Sequence, residues 1–384
     1  LDREYDIYRK LAQHIDQMPV AFPPTESGVE LRILKHLFTP EEAEIALHLS
    51  ALPETADKIY RRIKKAGISG ITKDKLEKLL EGLVAKGCIL GGKFFKSKGG
   101  GEKFYSKVSL AVGMYELQVN RLTREFVGYM GQYIDEGFAE AFITPKTSQL
   151  KTIPIKSSFM PEHNIATYDD IKQLVMKTEG KIAVFNCVCR QENIILDNTC
   201  KQTDRKEICL AFNEAADYVI EQLEGRRISM DECLEILKQN EKDGLVLQPE
   251  NSLKPNFLCS CCGCCCTVLN MLKKFPRPAE YWHSNHFAYV DSELCEGCKK
   301  CLKICPMEAI IIEKKFAAVS LDRCIGCGLC TSICSSNAIK LKKKAKETVP
   351  AKDHFSLYRK IMLERLKPFE KLKIIGKVMM GSKI

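Results

Sequence analysis

The 384 residues contain no G-x-G-x-x-G, no P-loop and no G-x-S-x-G run. A Rossmann dinucleotide site, a Walker-type phosphate cradle and a nucleophile elbow therefore have no support, and no flavin or nucleotide is expected. The triple glycine at Gly99, Gly100 and Gly101 falls inside a lysine-rich hairpin, not between a strand and a helix. Long apolar runs are missing too. The only uncharged stretch approaching membrane-spanning length, Pro255–Leu272, has six cysteines, with Asn256, Ser260, Thr267 and Asn270 among the rest, so a bilayer crossing is not expected. The chain opens on the charged LDREYDIYRK, unlike a secretory leader. A cytoplasmic location follows as the expectation, with any membrane association reached through a partner. The formal net charge of +10 is not a basic surface spread over the chain: residues 340–384 hold 14 Lys and Arg against 4 Asp and Glu, which accounts for all of it.

What the chain has in excess is cysteine. There are 20, and all but Cys88 lie between Cys187 and Cys334 in short runs, the pattern of thiolate ligands and not of disulfides bridging distant loops. The sharpest run is CEGCKKCLKICP, with Cys295, Cys298, Cys301 and Cys305 spaced C-x2-C-x2-C-x3-C before Pro306. It recurs in CIGCGLCTSICS as Cys324, Cys327, Cys330 and Cys334, and each copy continues into an Ala-Ile pair, Ala309-Ile310 and Ala338-Ile339. Ser335 stands where the first copy has proline, which alters a turn and removes no ligand.

Two further runs carry thiols. NCVCR, followed by Cys200 and Cys209, sets Cys187, Cys189, Cys200 and Cys209 as one candidate iron–sulfur ligand set, with zinc or packed thiols as alternatives. CSCCGCCC places Cys259, Cys261, Cys262, Cys264, Cys265 and Cys266 within eight residues, too dense for plain burial of so reactive a side chain. Three or four of these six are expected to bind metal while the others pack. Cys88 and Cys233 read as packed thiols, and His283 and His286 as hydrogen-bonding residues of a core or interface.

The patterning gives an α+β, multidomain chain. An N-terminal helical segment (1–38) precedes a winged helix (39–111), whose three helices begin with TPEEAEIALHLS and whose hairpin forms the wing. A linker helix and mixed segment (112–182), with the helix over about Val112 to Ile134, leads to a cysteine-rich metal-binding domain (183–286). In that domain helices are expected over Leu210 to Leu223 and Ser229 to Glu241. The cysteine repeat (287–341) and a basic helical tail (342–384) complete the chain. In the tail Phe355, Tyr358, Met362, Leu366 and Phe369 share a helical face that suits an acidic partner or a membrane surface as well as its own protein, with Pro368 bending or ending the helix.

The repeat closely resembles the dicluster ferredoxins of anaerobic metabolism. That resemblance implies two [4Fe-4S] clusters with exchanged ligands: Cys295, Cys298, Cys301 and Cys334 for one, Cys324, Cys327, Cys330 and Cys305 for the other. The wider chain, with TSQLKTIPIKSS, NCVCR and CSCCGCCC, looks like the multi-cluster 4Fe-4S proteins with an N-terminal winged helix that occur in strict anaerobes. The expected function is an electron-transfer protein or oxidoreductase subunit, more than a stand-alone enzyme. It would relay single electrons through two cubanes and one or two additional iron–sulfur clusters to a partner enzyme or complex. The alternative is a redox-sensing transcription regulator that holds DNA through Lys73, Lys75, Lys78 and Lys86 of the third helix and Lys93, Lys96, Lys98 and Lys103 of the wing. Glu77 and Glu81 share that helix, and no arginine is placed to read guanine. A third reading makes the six-cysteine run a reactive cluster.

Overall fold

A computed structural model describes residues 2–92, 103–155, 158, 169–178, 180–367 and 383. Its elements follow from local signals that the sequence states openly. Thr39 caps the helix Pro40–Ala46 with a reciprocal Thr39–Glu42 capping box and proline in the first turn. Thr55 and Thr72 cap the helices Ala56–Lys65 and Lys73–Ala85 in the same way, each accepting a backbone N–H three residues on. Leu76, Leu80, Leu83 and Val84 form the buried stripe of the third helix, and Leu79 lies half-buried beside them.

The chain separates into two compact units. The first comprises Leu1–Pro145, Ile220–Glu224 and Arg359–Ile384. Its helices Asp2–Asp16, Val29–Leu37 and Pro40–Ala46 bury Tyr8, Leu11, Ile15, Ile33, Leu34 and Ile45. Three short strands, β1 (Glu54–Thr55), β2 (Leu90–Gly92) and β3 (Phe104–Ser106), pair antiparallel in the order β1-β3-β2. The hairpin tip with Gly99 to Gly101, Lys93, Lys96 and Lys98 lies outside the described residues, as do Pro368 and Phe369 of the tail. The expected linker helix is shorter than its pattern: a helix runs only over Arg124–Tyr133, capped by Thr123, while Asn120 takes left-handed backbone and interrupts what precedes it.

The second unit, Lys146–Val219 with Gly225–Tyr358, carries the cysteine runs. Strands β4 (Ile182–Asn186), β5 (Glu207–Phe212), β6 (Arg226–Ile228), β7 (Val246–Pro249) and β8 (Phe257–Cys261) form an antiparallel sheet in the order β6-β4-β5-β8-β7. The helix expected from Leu210 starts at Glu214 instead. Residues Ile208–Phe212 are buried throughout, and a short apolar run without helical periodicity becomes the central strand β5. Ser229 caps the helix Met230–Lys242 as its sequence implies.

The cysteine repeat folds as two equivalent halves. Strands β9 (His286–Val290) and β12 (Ile339–Lys343) pair antiparallel, as do β10 (Ile310–Glu313) and β11 (Phe316–Val319). The short helices Lys300–Ile304 and Leu329–Ser332 pack on each other between them. The architecture is α+β.

Candidate metal centres

In each half of the repeat a strand gives way to a loop with three cysteines, which turns into a short helix. Gly297 and Gly326 hold φ at +69° and +66°, and an added Cβ would stand 2.4 Å from Lys315 O and 2.2 Å from His286 O. Only glycine lets backbone approach backbone so closely here. The turns aim N–H groups at sulfur: Ala288 donates to Cys324 Sγ at 3.4 Å and Ala317 to Cys295 Sγ at 3.5 Å. Ala288 and Ala317 occupy the same place in the two copies, so the strand of each half serves the first cysteine of the other. Ala309 N–H donates to Cys305 Sγ at 3.2 Å.

Cys324, Cys327 and Cys330 of the second copy line one cavity together with Cys305 of the first. Burial pushes the Cys327 and Cys330 thiols up, so sulfurs gathered there become thiolates at low cost only with a cation among them. This donor set fits iron. Residues 288–341 match the family model of the 4Fe-4S dicluster domain. No curated protein and no solved structure matches the chain. The dicluster domain holds at least one [4Fe-4S] cluster, and the chain has an iron–sulfur electron-transfer role. Its first cysteine set is the more open one: Cys298 is exposed and Cys295 and Cys334 are half-buried, whereas Cys324, Cys327 and Cys330 are all buried.

Outside the dicluster domain the thiols gather in two places. Strand β4 delivers Cys187 to the start of the helix Val188–Ile195, where Cys189 occupies its first turn. Strand β8 presents Cys259 and Cys261 two residues apart, hence on one face. Cys266 caps the helix Thr267–Lys273, its Sγ accepting from Leu269 N–H at 3.5 Å. The thiols of Cys187, Cys189, Cys266, Cys261, Cys259 and Cys209 neighbour one another in that order, and Cys209 adjoins Cys187 again, a closed ring of six. Hydrogen bonds from Cys187 and Cys259 hold the Cys209 sulfur well below the usual thiol range. The shared proton correspondingly pushes Cys259 up.

The second gathering is Cys200, Cys262, Cys264 and Cys265, whose sulfurs all lie within 4.8 Å of one another. Arg190, only 4% exposed, donates from one guanidinium nitrogen to Cys200 Sγ at 2.9 Å and Thr203 O at 2.8 Å, and from another toward Cys262 Sγ at 3.6 Å. The Cys265 thiol and the Arg190 charge hold the Cys262 sulfur low, toward thiolate. Ile208, Cys209, Leu245, Cys262 and Cys265 form one buried cluster, with Cys187, Cys200 and Cys264 packed against it, so the two gatherings adjoin.

The four cysteines read together from the sequence are thus divided. Cys187, Cys189 and Cys209 stay together and Cys200 joins the other group. The six-cysteine run splits three and three, because Cys259 and Cys261 follow the strand period while the turn at Gly263 carries Cys262, Cys264 and Cys265 elsewhere. Arg190, Asn193 and Thr267 are functional neighbours that the cysteine spacing does not announce. Asn193 ties Cys189 O at 2.9 Å to Cys265 O at 3.1 Å, and Thr267 Oγ1 donates to Cys189 Sγ at 3.3 Å. The one signal for them is the arginine that directly follows Cys189. Cys88 and Cys233 join neither group; both are buried, with burial pushing each thiol up to about 12. His283 is held by Asn251 at 2.7 Å and by Lys146 O at 3.1 Å.

The dicluster domain and the six-cysteine run meet directly. A Cβ on Gly263 would stand 2.8 Å from both Cα and O of Pro306, the residue after Cys305. Lys273 Nζ donates to Gly263 O at 2.7 Å, and Arg323, the residue before Cys324, donates to Met307 O at 3.0 Å and Lys273 O at 3.3 Å.

Proposed function

We propose that this chain relays single electrons to or from a partner oxidoreductase, as a mediator or as one of its subunits. The observation that carries this reading is the succession of thiol sets within the second unit. It begins at the open set around Cys298, continues to the buried set around Cys327, and crosses the Pro306–Gly263 contact to the turn of Cys262, Cys264 and Cys265, against which the six-thiol ring packs through Cys209 and Cys187. Cys295, Cys298, Cys301 and Cys334 would hold one cubane, Cys324, Cys327, Cys330 and Cys305 a second, and the ring one further iron–sulfur cluster. A bound [4Fe-4S] cluster supplies a one-electron couple. The chain sets how that couple behaves: the N–H groups of Ala288 and Ala317 favour added negative charge on the sulfurs of Cys324 and Cys295, and burial of the inner set opposes it. The exposed set gives a partner its place of contact.

Residues 39–111 read as a winged helix that serves this partner as a platform. Lysines assigned to phosphate contact are engaged by carboxylates of the same unit: Lys73 with Asp57 at 2.7 Å, Lys75 with Glu41 at 2.6 Å, Lys86 with Glu42 at 2.6 Å, and Lys103 with Glu81. Among the described residues these four pairs neutralise charge that a bare basic stripe for DNA would need.

The test uses the full chain, reconstituted with iron and sulfide without oxygen. Reduced by a low-potential donor and mixed with a one-electron acceptor protein, it is expected to return about two electrons per chain from the dicluster domain. Iron-replete protein that takes up no electrons from the donor, or returns none to the acceptor, would eliminate the relay.

A further inference from the structure

We infer that Cys200, Cys262, Cys264 and Cys265 bind one tetrahedral metal ion, zinc or iron, through four thiolates, and that this site does not build a cubane. The deciding observation is the spacing of the sulfurs. Cys200 lies 3.8 Å from Cys262 and 3.7 Å from Cys264, Cys264 lies 3.4 Å from Cys262 and 3.7 Å from Cys265. A single ion about 2.3 Å from each of four thiolates sets them on a tetrahedron with edges of about 3.8 Å. In a cubane each thiolate caps a different iron and points away from the centre, so its sulfurs stand farther apart.

The dicluster domain provides the comparison inside the same chain. All eight of its cysteines are described, and no three of them bring their sulfurs within the 4.8 Å that encloses the group at Cys200. Nor do any three sulfurs of the six-thiol ring all lie within that limit of one another among the described residues. The two geometries coexist a few residues apart, which separates a one-metal site from cluster sites without reference to composition.

The surroundings suit a closed MS4 centre. Four thiolates around a divalent ion leave two negative charges, and Arg190 brings one positive charge to Cys200 and Cys262. Gln202 N–H adds a donor to Cys200 Sγ at 3.5 Å. All four metal positions are taken by sulfur, so the ion has no open coordination place for substrate. Gly263 lies between Cys262 and Cys264 and rests on Pro306. The ion therefore fixes the turn that seats the dicluster domain, and it does so whether or not electrons pass along the thiol sets.

The experiment uses full-length protein purified without oxygen from cells supplied with both metals and with iron-57. Metal is counted in the wild type and in Cys264→Ser, with X-ray absorption at the zinc edge and Mössbauer spectra of the iron. The expected result is one zinc with four sulfurs at about 2.3 Å and no metal neighbour, or, where zinc is absent, one magnetically isolated high-spin iron beside the exchange-coupled clusters. Cys264→Ser should lose that single ion and keep the electron paramagnetic resonance signal of the reduced dicluster domain. A loss of about four irons with their sulfide from Cys264→Ser would overturn the inference. If that variant fails to fold, the wild-type spectra decide alone: no zinc, with every iron exchange-coupled, overturns it equally. Failure of the electron relay would leave these spectra unchanged, so the two proposals are judged separately.

Discussion

Arg190 shows how one side chain can organise sulfurs drawn from distant parts of a sequence. It sits beside Cys189 in the chain, yet its guanidinium serves Cys200 and Cys262, which belong to the other thiol group. Its planar fork reaches the two sulfurs from two separate nitrogens, a spread that the single ammonium nitrogen of lysine does not reproduce. In the first unit His14 has a comparable hold on stability. It is 6% exposed, with Nε2 2.9 Å from Leu49 O and Nδ1 3.4 Å from Lys107 Nζ. Burial, then the charges of Lys107, Lys383 and His48, bring its pKa from 6.5 to about 3, against a smaller raising effect of the Leu49 carbonyl. The folded chain keeps the ring neutral, and the unfolded chain takes up a proton below pH 6.5. Stability is therefore full above pH 6.5 and declines as pH falls toward 3, by at most about 1.4 kcal/mol per pH unit. Protection factors in the helices around His14, corrected for the intrinsic exchange rate at each pH, should fall as pH is lowered over this range in the wild type and lose much of that pH dependence in His14→Gln. Equal slopes for the two proteins would contradict a neutral buried ring.

At the scale of elements, strand β8 and the turn after it decide the fate of six cysteines. The turn passes so close to Pro306 that only hydrogen fits on Gly263. Gly263→Ala places a Cβ against the backbone of Pro306, which cannot rotate away as a side chain would. It is expected to destabilise the second unit by about 1–3 kcal/mol, read by urea unfolding through the fluorescence of Trp282. Gly128→Ala is the control: it lies inside the helix Arg124–Tyr133 with nothing within 4 Å of the added carbon, and a gain of about 0.5–1 kcal/mol is expected in the first unit, read by circular dichroism. If both substitutions shift stability alike, Gly263 is not at a contact. The helices were the legible elements, because threonine and serine caps and leucine spacing act within a few residues. Strand β5 was not, since an apolar run such as Ile208–Phe212 has no period to separate strand from helix. The tail helix His354–Arg365 buries Leu357 and Ile361 and exposes Phe355, so its inward face is not the one that its aromatic spacing suggests.

For the whole molecule, exposure orders the thiol sets. Cys298 is open to solvent while the set around Cys327 is closed, so an external chelator or oxidant meets them in that sequence. Treated anaerobically with a strong iron chelator, the reconstituted chain is expected to release iron in two phases, with the fast one abolished by Cys298→Ser. A single phase, or a fast phase that survives this substitution, would show that exposure does not order the sets. No helix among the described residues is long and apolar enough to cross a membrane.

The dicluster domain is legible in the amino-acid order alone, because its cysteines, glycines and Ala-Ile pairs repeat at short range, and ligand spacing within one turn is a local property. That order also shows the remaining thiols to be too concentrated for packing alone. Which thiols meet is settled by long-range packing. Cys200 and Cys262 are 62 residues apart, and whether they meet depends on sheet register, on the turn at Gly263 and on an arginine reaching between them. Such contacts are set by the packing of β4, β5 and β8 together, which no spacing along the chain encodes.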